Sequence, residues 1–147
     1  MTSDPPSFPV VSSTAGEAVI LVAPARSYRV SAYLGAAKRL EIPVLLASVG
    51  THPLVPEGIQ GISLVDGDNG AAALVADLDE RGWLHAVAGV VATDDTTVEI
   101  AAELARRLAL PHNDVRAVRT SRRKDHARRA LADHGASVPR FSVLTHP

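Results

Sequence analysis

Four short apolar runs constrain this chain more than any other feature. They are Ala18-Val19-Ile20-Leu21-Val22, Val44-Leu45-Leu46-Ala47, Ile62-Ser63-Leu64-Val65 and Ala86-Val87-Ala88-Gly89-Val90-Val91. Each is too short for a buried helix, and none alternates apolar with polar as a half-exposed strand would. Near-continuous apolar runs of this length are the pattern of parallel strands covered on both faces. Between them lie segments with helical spacing. One follows Ala23-Pro24-Ala25-Arg26-Ser27 and runs to about Leu40, with Val30, Leu34, Ala37 and Leu40 or its neighbours facing inward. A second follows the turn Asp66-Gly67-Asp68-Asn69-Gly70, whose Asp or Asn can cap it, and stops at Gly82. A third follows the fourth run, with Val98, Ala101, Ala102, Ala105 and Leu108 on one face. Strand and helix in this alternation predict an α/β fold with a doubly wound, mainly parallel sheet and right-handed crossovers.

The totals narrow the class further. At 147 residues the chain has room for one ordinary domain. A net charge of −1 argues against a nucleic-acid binder, which is normally basic. With no cysteine, disulfides and thiolate metal sites are excluded. The six histidines at 52, 85, 112, 126, 134 and 146 show no metal-ligand spacing, so no metal site is expected. No apolar run approaches the ~20 residues of a membrane span. Residues 1–16, rich in Pro, Ser and Thr, lack both a helical period and the pattern of a signal peptide. They are expected to form a disordered leader. A cytoplasmic protein with no membrane partner is therefore expected.

In an open parallel sheet, ligands bind beyond the carboxyl ends of the strands, where strand order reverses. Two loops qualify, residues 23–28 and 93–97. The first offers Arg26 and Ser27 beside a helix N-terminus, a seat for a carboxylate or phosphate; alternatively Arg26 is a solvated cation and Ser27 an N-cap. With Pro24 and no glycine, it is not a dinucleotide loop. In the second, Asp94 and Asp95 suit a substrate amine, a ribose or a metal. Alternatively Asp95 or Thr96 caps the following helix and Glu99 favours its first turn. No G-x-S-x-G elbow or G-x-x-x-x-G-K-[ST] loop occurs.

The last third is the most distinctive. After the third helix comes Leu110-Pro111-His112-Asn113, then Lys124, Arg128, Leu131, Gly135 and Pro139 in a very basic segment. Residues 120–129 carry five Lys or Arg in ten. On composition this is a solvated cationic helix face. The order resembles the ATP-grasp superfamily of ATP-dependent carboxylate–amine ligases, in which a Rossmann-like pre-ATP-grasp domain ends in an L-P-x-N turn. A K-x-x-x-R-x-x-L-x-x-x-G-x-x-x-P helix follows it. The resemblance spans roughly residues 17–143. It implies three segments: a leader over 1–16, the pre-ATP-grasp domain over 17–119, and the start of the ATP-grasp region over 120–147. It makes Lys124 the residue that contacts ATP phosphates and adds Asn113 to the candidate substrate-binding residues. Where the family often has glycine, this sequence has Glu41 and Ala109, so those helix ends are expected to be less well terminated. Arg123 stands where an Asp or Asn usually precedes the lysine.

The resemblance also implies ATP and Mg2+ as cofactors of the full-length family. The family's second lysine, glycine-rich loop and acidic Mg2+ ligands have no counterpart here. The chain is thus expected to be the N-terminal domain or a fragment of an ATP-grasp ligase, inactive by itself and binding neither cofactor tightly. A homo-oligomer or a complementary ATP-grasp chain is the expected partner. The alternatives are a stand-alone α/β module for a small ligand, and an interaction protein docking through its basic helix.

Overall fold

The structure, a computed structural model, describes residues 17–48, 59–63 and 69–144. The leader, the turn at 66–68 and the last two residues of the third apolar run lie outside these. The chain divides into two compact units, Met1–His112 and Asn113–Pro147.

The first unit is built on a parallel sheet of four strands. They are β1 (Ala18–Ala23), β2 (Val44–Ser48), β3 (Gln60–Ser63) and β4 (Val87–Ala92), in the order β3-β2-β1-β4. All three pairings are parallel. The expected α/β parallel sheet is thus what the chain forms. β3 starts two residues before the apolar run that signalled it. Ala86 belongs to a 3-10 turn, Leu84–Ala86, rather than to β4. β1 lies between β2 and β4, and from Ile20 to Ala23 it is almost wholly buried. That explains its unbroken apolar run. Opposite Ala18 and Val19, β4 carries the extra residue Ala88, a bulge that increases local twist.

Two apolar layers cover the sheet. Helix α1 (Val30–Arg39) packs Val30, Leu34 and Ala37 against Leu21 and Ala23 of β1 and Val44 and Leu46 of β2. Leu40, expected inward, is exposed at the C-cap, and Ile42 packs on this layer instead. On the opposite face lie helices α2 (Gly70–Glu80) and α3 (Val98–Arg107). They pack Leu74, Leu78, Ala101 and Leu104 against Ile20, Val22, Leu45 and Ala47. The largest buried side chain of α3 is Leu104, between the positions whose spacing marks the face, while Val98 and Leu108 are only half-buried. Helices on both faces make the sheet doubly wound. Asn69 occupies the N-cap of α2, but its side chain makes no capping bond.

Helix ends of this unit share one geometry. The Ile42 amide bonds the Ala37 carbonyl and the Glu41 amide that of Lys38. At α2, Trp83 bonds Leu78 and Gly82 bonds Asp79; at α3, Leu110 bonds Ala105 and Ala109 bonds Arg106. These paired bonds define Schellman ends, which require a left-handed residue. Gly82 supplies it at φ 68°, but Glu41 and Ala109 adopt φ 56° and 54° without being glycine. The two positions marked in the sequence as lacking a glycine are, among the described residues, the two non-glycine residues of positive φ.

The second unit contains α4 (Val115–Arg122) and α5 (Lys124–Asp133). The basic stretch is therefore split between two helices at Arg123, which is extended at φ −95° and ψ 102°. Asp114 caps α4, accepting from the amides of Arg116 at 2.9 Å and Ala117 at 3.1 Å. α5 ends as expected at Gly135, φ 79°. Neither helix buries a residue, and Leu131 is exposed. The Arg128 guanidinium lies 5.4 Å over the Phe141 ring, fastening the segment after Gly135 back to α5.

Candidate functional site

Strand order places the topological switch between β1 and β4. From β1 the chain steps outward to β2 and β3, then returns to lay β4 on the other side of β1. The loops after β1 and β4 are therefore neighbours, as the sequence required of a site made from them.

Hydrogen bonds hold these loops together. The Thr93 amide continues the ladder to the Val22 carbonyl at 3.0 Å. The Thr97 hydroxyl donates to the same carbonyl at 3.0 Å. The Thr93 hydroxyl donates to that of Ser27 at 3.5 Å, with both residues buried. Ser27 is thus part of the floor of the crevice and not an N-cap. The reason is local. A turn from Pro24 closes on the Ser27 amide at 3.1 Å, and α1 starts only at Val30, behind Arg29, with no side-chain cap.

Arg26 is exposed. The cation that crosses the crevice is Arg29, whose guanidinium donates to the Thr93 carbonyl at 3.4 Å. It also donates to the Tyr28 hydroxyl at 3.3 Å. That bond and the negative field of Tyr28, with Asp94 adding to it, hold the guanidinium above its ordinary value.

Asp94 is half-buried and Asp95 exposed. The cap expected from Asp95 or Thr96 is not made. Instead Asp94 folds the loop one residue earlier, accepting from the Thr96 amide at 2.9 Å and the Thr96 hydroxyl at 2.6 Å. Thr97 takes the N-cap position but spends its hydroxyl on Val22 and Asp94 carbonyls. Glu99 lies in the first turn of α3, as expected.

Two residues at this edge escaped the sequence reading. Arg29 lay one position past the loop that was considered. Ser48 is the first polar residue after the second apolar run, and its hydroxyl is buried without a partner among the described residues. The signal available for Ser48 was position alone: a small polar residue closing an apolar strand.

Asn113 and Lys124 belong to the second unit. Asn113 is exposed beside the cap residue Asp114. Lys124 is the first residue of α5, also exposed, and no ion pair engages it among the described residues. Its neighbour Arg123 is turned away onto Asp125, with two bonds of 3.1 Å. That pairing, chiefly the hydrogen bond from Arg123, holds the Asp125 carboxyl below its usual range. A cation at the start of a helix opposes the helix dipole, whereas an anion there is favoured. Lys124 thus stands at the end of α5 that disfavours a cation, beside Asp125, whose carboxylate is favoured there. Among the described residues no group of three His, Asp or Glu could hold a metal ion. No described helix is long and apolar enough to cross a membrane.

Sheet order, helices on both faces and the β1/β4 switch point define a Rossmann-like α/β domain. No protein-family model matches the chain, and no curated protein matches it in sequence. Among solved structures it is similar to the L-amino acid ligase from Bacillus licheniformis, with a TM-score of 0.67 and 16% identity. The likeness covers 90% of this chain and 36% of that one, so the chain spans about a third of the ligase's length. At that identity, what the two share is the fold.

Proposed function

We propose that this chain is the pre-ATP-grasp domain, and the first helices of the ATP-grasp region, of a ligase that activates a carboxylate with ATP and joins it to an amine. The observation that carries the reading is the shared fold with an amino acid ligase over 90% of the chain. It agrees with the motif order Leu110-Pro111-x-Asn113 followed by Lys124, Arg128, Leu131, Gly135 and Pro139. The exposed Lys124 ammonium at the start of α5, in no ion pair among the described residues, supports a role toward ATP phosphates, where a fixed positive charge neutralises the transferring group. ATP and Mg2+ are cofactors of the complete ligase in this reading. Residues 1–147 by themselves do not complete the reaction, and a complementary ATP-grasp chain or a second copy is the natural partner.

A second reading, a small-ligand module centred on the β1/β4 crevice, is favoured by one observation. The loops after β1 and β4 meet over buried hydroxyls, with Arg29 bridging them.

The test is a thermal-shift titration of the 147-residue chain with Mg·ATP, wild type beside Lys124→Ala. Cooperative melting with no saturable rise is expected, the two proteins melting alike. A saturable rise lost in Lys124→Ala would mean that the chain alone holds ATP. A saturable rise retained in the variant removes Lys124 from the phosphate role and the ligase reading with it.

A further inference from the structure

Among the described residues β4 pairs with β1 alone, so its other side presents unpaired backbone groups. Such an edge is a template for another strand, and chains that stay apart blunt it with lysine, proline or an inward charge. The run Val87-Ala88-Gly89-Val90-Val91-Ala92 carries none of these. The bulge at Ala88 lies toward its amino end and leaves Gly89 to Ala92 in regular register with β1.

One face of β4 is open as well. Val90 and Ala92 pack in the layer under α2 and α3. Side chains alternate faces along a strand, so Gly89 and Val91 look to the α1 side. There α1 packs on β1 and β2 and does not reach them. Val91 is 37% exposed, and a Cβ placed on Gly89 would meet no atom within 4 Å among the described residues. Hydrogen-bonding direction fixes how a strand can add to this edge. The Thr93 amide turns inward to the Val22 carbonyl. Successive residues of a strand aim their backbone groups at opposite edges, so Val90 and Ala92 direct theirs outward.

We propose that a second copy of this chain docks on β4, antiparallel and centred on Val90, joining the two parallel sheets into one. A two-fold axis normal to the sheet at Val90 lets the two Val90 residues exchange both backbone bonds. In that register Val91 of each copy lies opposite Gly89 of the other, on the same face. This is a non-hydrogen-bonded pair, in which side chains approach most closely. The exposed isopropyl group of one copy thus fills the space left empty at the glycine of the other, and the fit is reciprocal, as an isologous interface requires. Further out, the same register sets His85 against Asp95 of the partner, both exposed, a donor against an acceptor. α3 touches β1 as well as β4 and so lies back from the edge. The interface belongs wholly to the sheet unit and stands without the ligase reading.

Sedimentation equilibrium of the 147-residue chain, without ATP, tests this through the dimer dissociation constant. Wild type is expected to dimerise. Val91→Lys places a charge on the open edge and is expected to weaken the dimer about tenfold or more. Gly89→Val fills a space that is empty in the single chain, so the fold is kept while the Val91 of the partner is obstructed. It too is expected to weaken the dimer about tenfold. The exchange Gly89→Val with Val91→Gly restores the pairing of a large side chain with none, and is expected to recover most of the affinity. Cooperative unfolding followed by Trp83 fluorescence separates loss of association from loss of fold. A wild type that stays monomeric at millimolar concentration overturns the proposal. A dimer that a folded Gly89→Val leaves unchanged overturns it equally, and a failed exchange overturns the register.

Discussion

Glu41→Gly and Ala109→Gly are expected to stabilise the sheet unit, although each removes a side chain and loosens the unfolded chain. Both residues are exposed and held at φ 56° and 54° by the paired bonds of a Schellman end. A left-handed conformation costs an L-residue roughly 1–2 kcal/mol through the clash of Cβ with the backbone. Glycine escapes that cost but loses roughly 0.4–1 kcal/mol through its freer unfolded state. The difference is a net gain of about 0.5–1 kcal/mol per site. The two ends lie on opposite faces of the sheet, Ile42 packing in the α1 layer and Leu110 in the other. Their effects should add, giving about 1–2 kcal/mol for the double variant. For a domain of this size that raises the melting temperature by about 4–8 °C.

Trp83, the chain's one tryptophan, reports this unit because it packs against the core at the end of α2. Urea unfolding followed by its fluorescence should move to a higher midpoint with an unchanged slope. Gly82→Ala, imposing the same strain at φ 68°, should cost about 1 kcal/mol. If either glycine variant proves neutral or destabilising while Gly82→Ala behaves as expected, the left-handed strain assigned to Glu41 and Ala109 is wrong.

Two further outcomes follow from named contacts. Glu103 bonds Arg106 at 2.7 Å and Arg107 at 2.8 Å, which lowers its carboxyl, first through the Arg106 hydrogen bond, from 4.5 to about 2. A depressed carboxylate contributes stability above its unfolded value. The contribution should be full above pH 4.5 and vanish as pH falls toward 2. With the arginines largely solvated it is worth about 0.5–1 kcal/mol, and Glu103→Gln should flatten that part of the stability–pH curve. Asp114→Ala removes the acceptor of two α4 amides and should cost α4 about 1 kcal/mol. Faster amide exchange confined to residues 115–122, restored by Asp114→Asn, would register it.

The sheet was legible because burial on both faces leaves an unmistakable pattern. β1 sits between two strands and beneath two helical layers, so no position in Ile20–Ala23 tolerates a polar side chain. β3 was the least legible strand. Its described residues, Gln60-Gly61-Ile62-Ser63, begin with a polar residue and glycine, and among the described residues it is paired on one side only. Helix starts were misread for another reason. Ser27, Asp95 and Thr96 have the chemistry of N-caps, but sequence does not say whether a turn is inserted before the helix. Here turns at Pro24–Ser27 and Asp94–Thr97 delay α1 and α3, freeing Ser27 and Thr97 to bond across the crevice. The break at Arg123 was hidden because every residue of 120–129 is compatible with helix. The bidentate bond to Asp125 accompanies an extended Arg123.

The same logic explains why half of the crevice was invisible. Periodicity locates residues that obey the hydrophobic pattern, and turn chemistry locates those that satisfy their own backbone. Ser48 does neither: it follows an apolar run, is buried like one of its members, and leaves its hydroxyl without a partner among the described residues. Arg29 occupies the N-cap of α1 without capping it, extending its guanidinium to another strand's loop. Departures from local consistency concentrate where a protein holds groups for something other than its own stability. Arg29 departs at the β1/β4 switch point, where topology places a ligand, and Ser48 one strand away at the carboxyl end of β2. Lys124 is the parallel case in the second unit, a cation at the helix end that disfavours it.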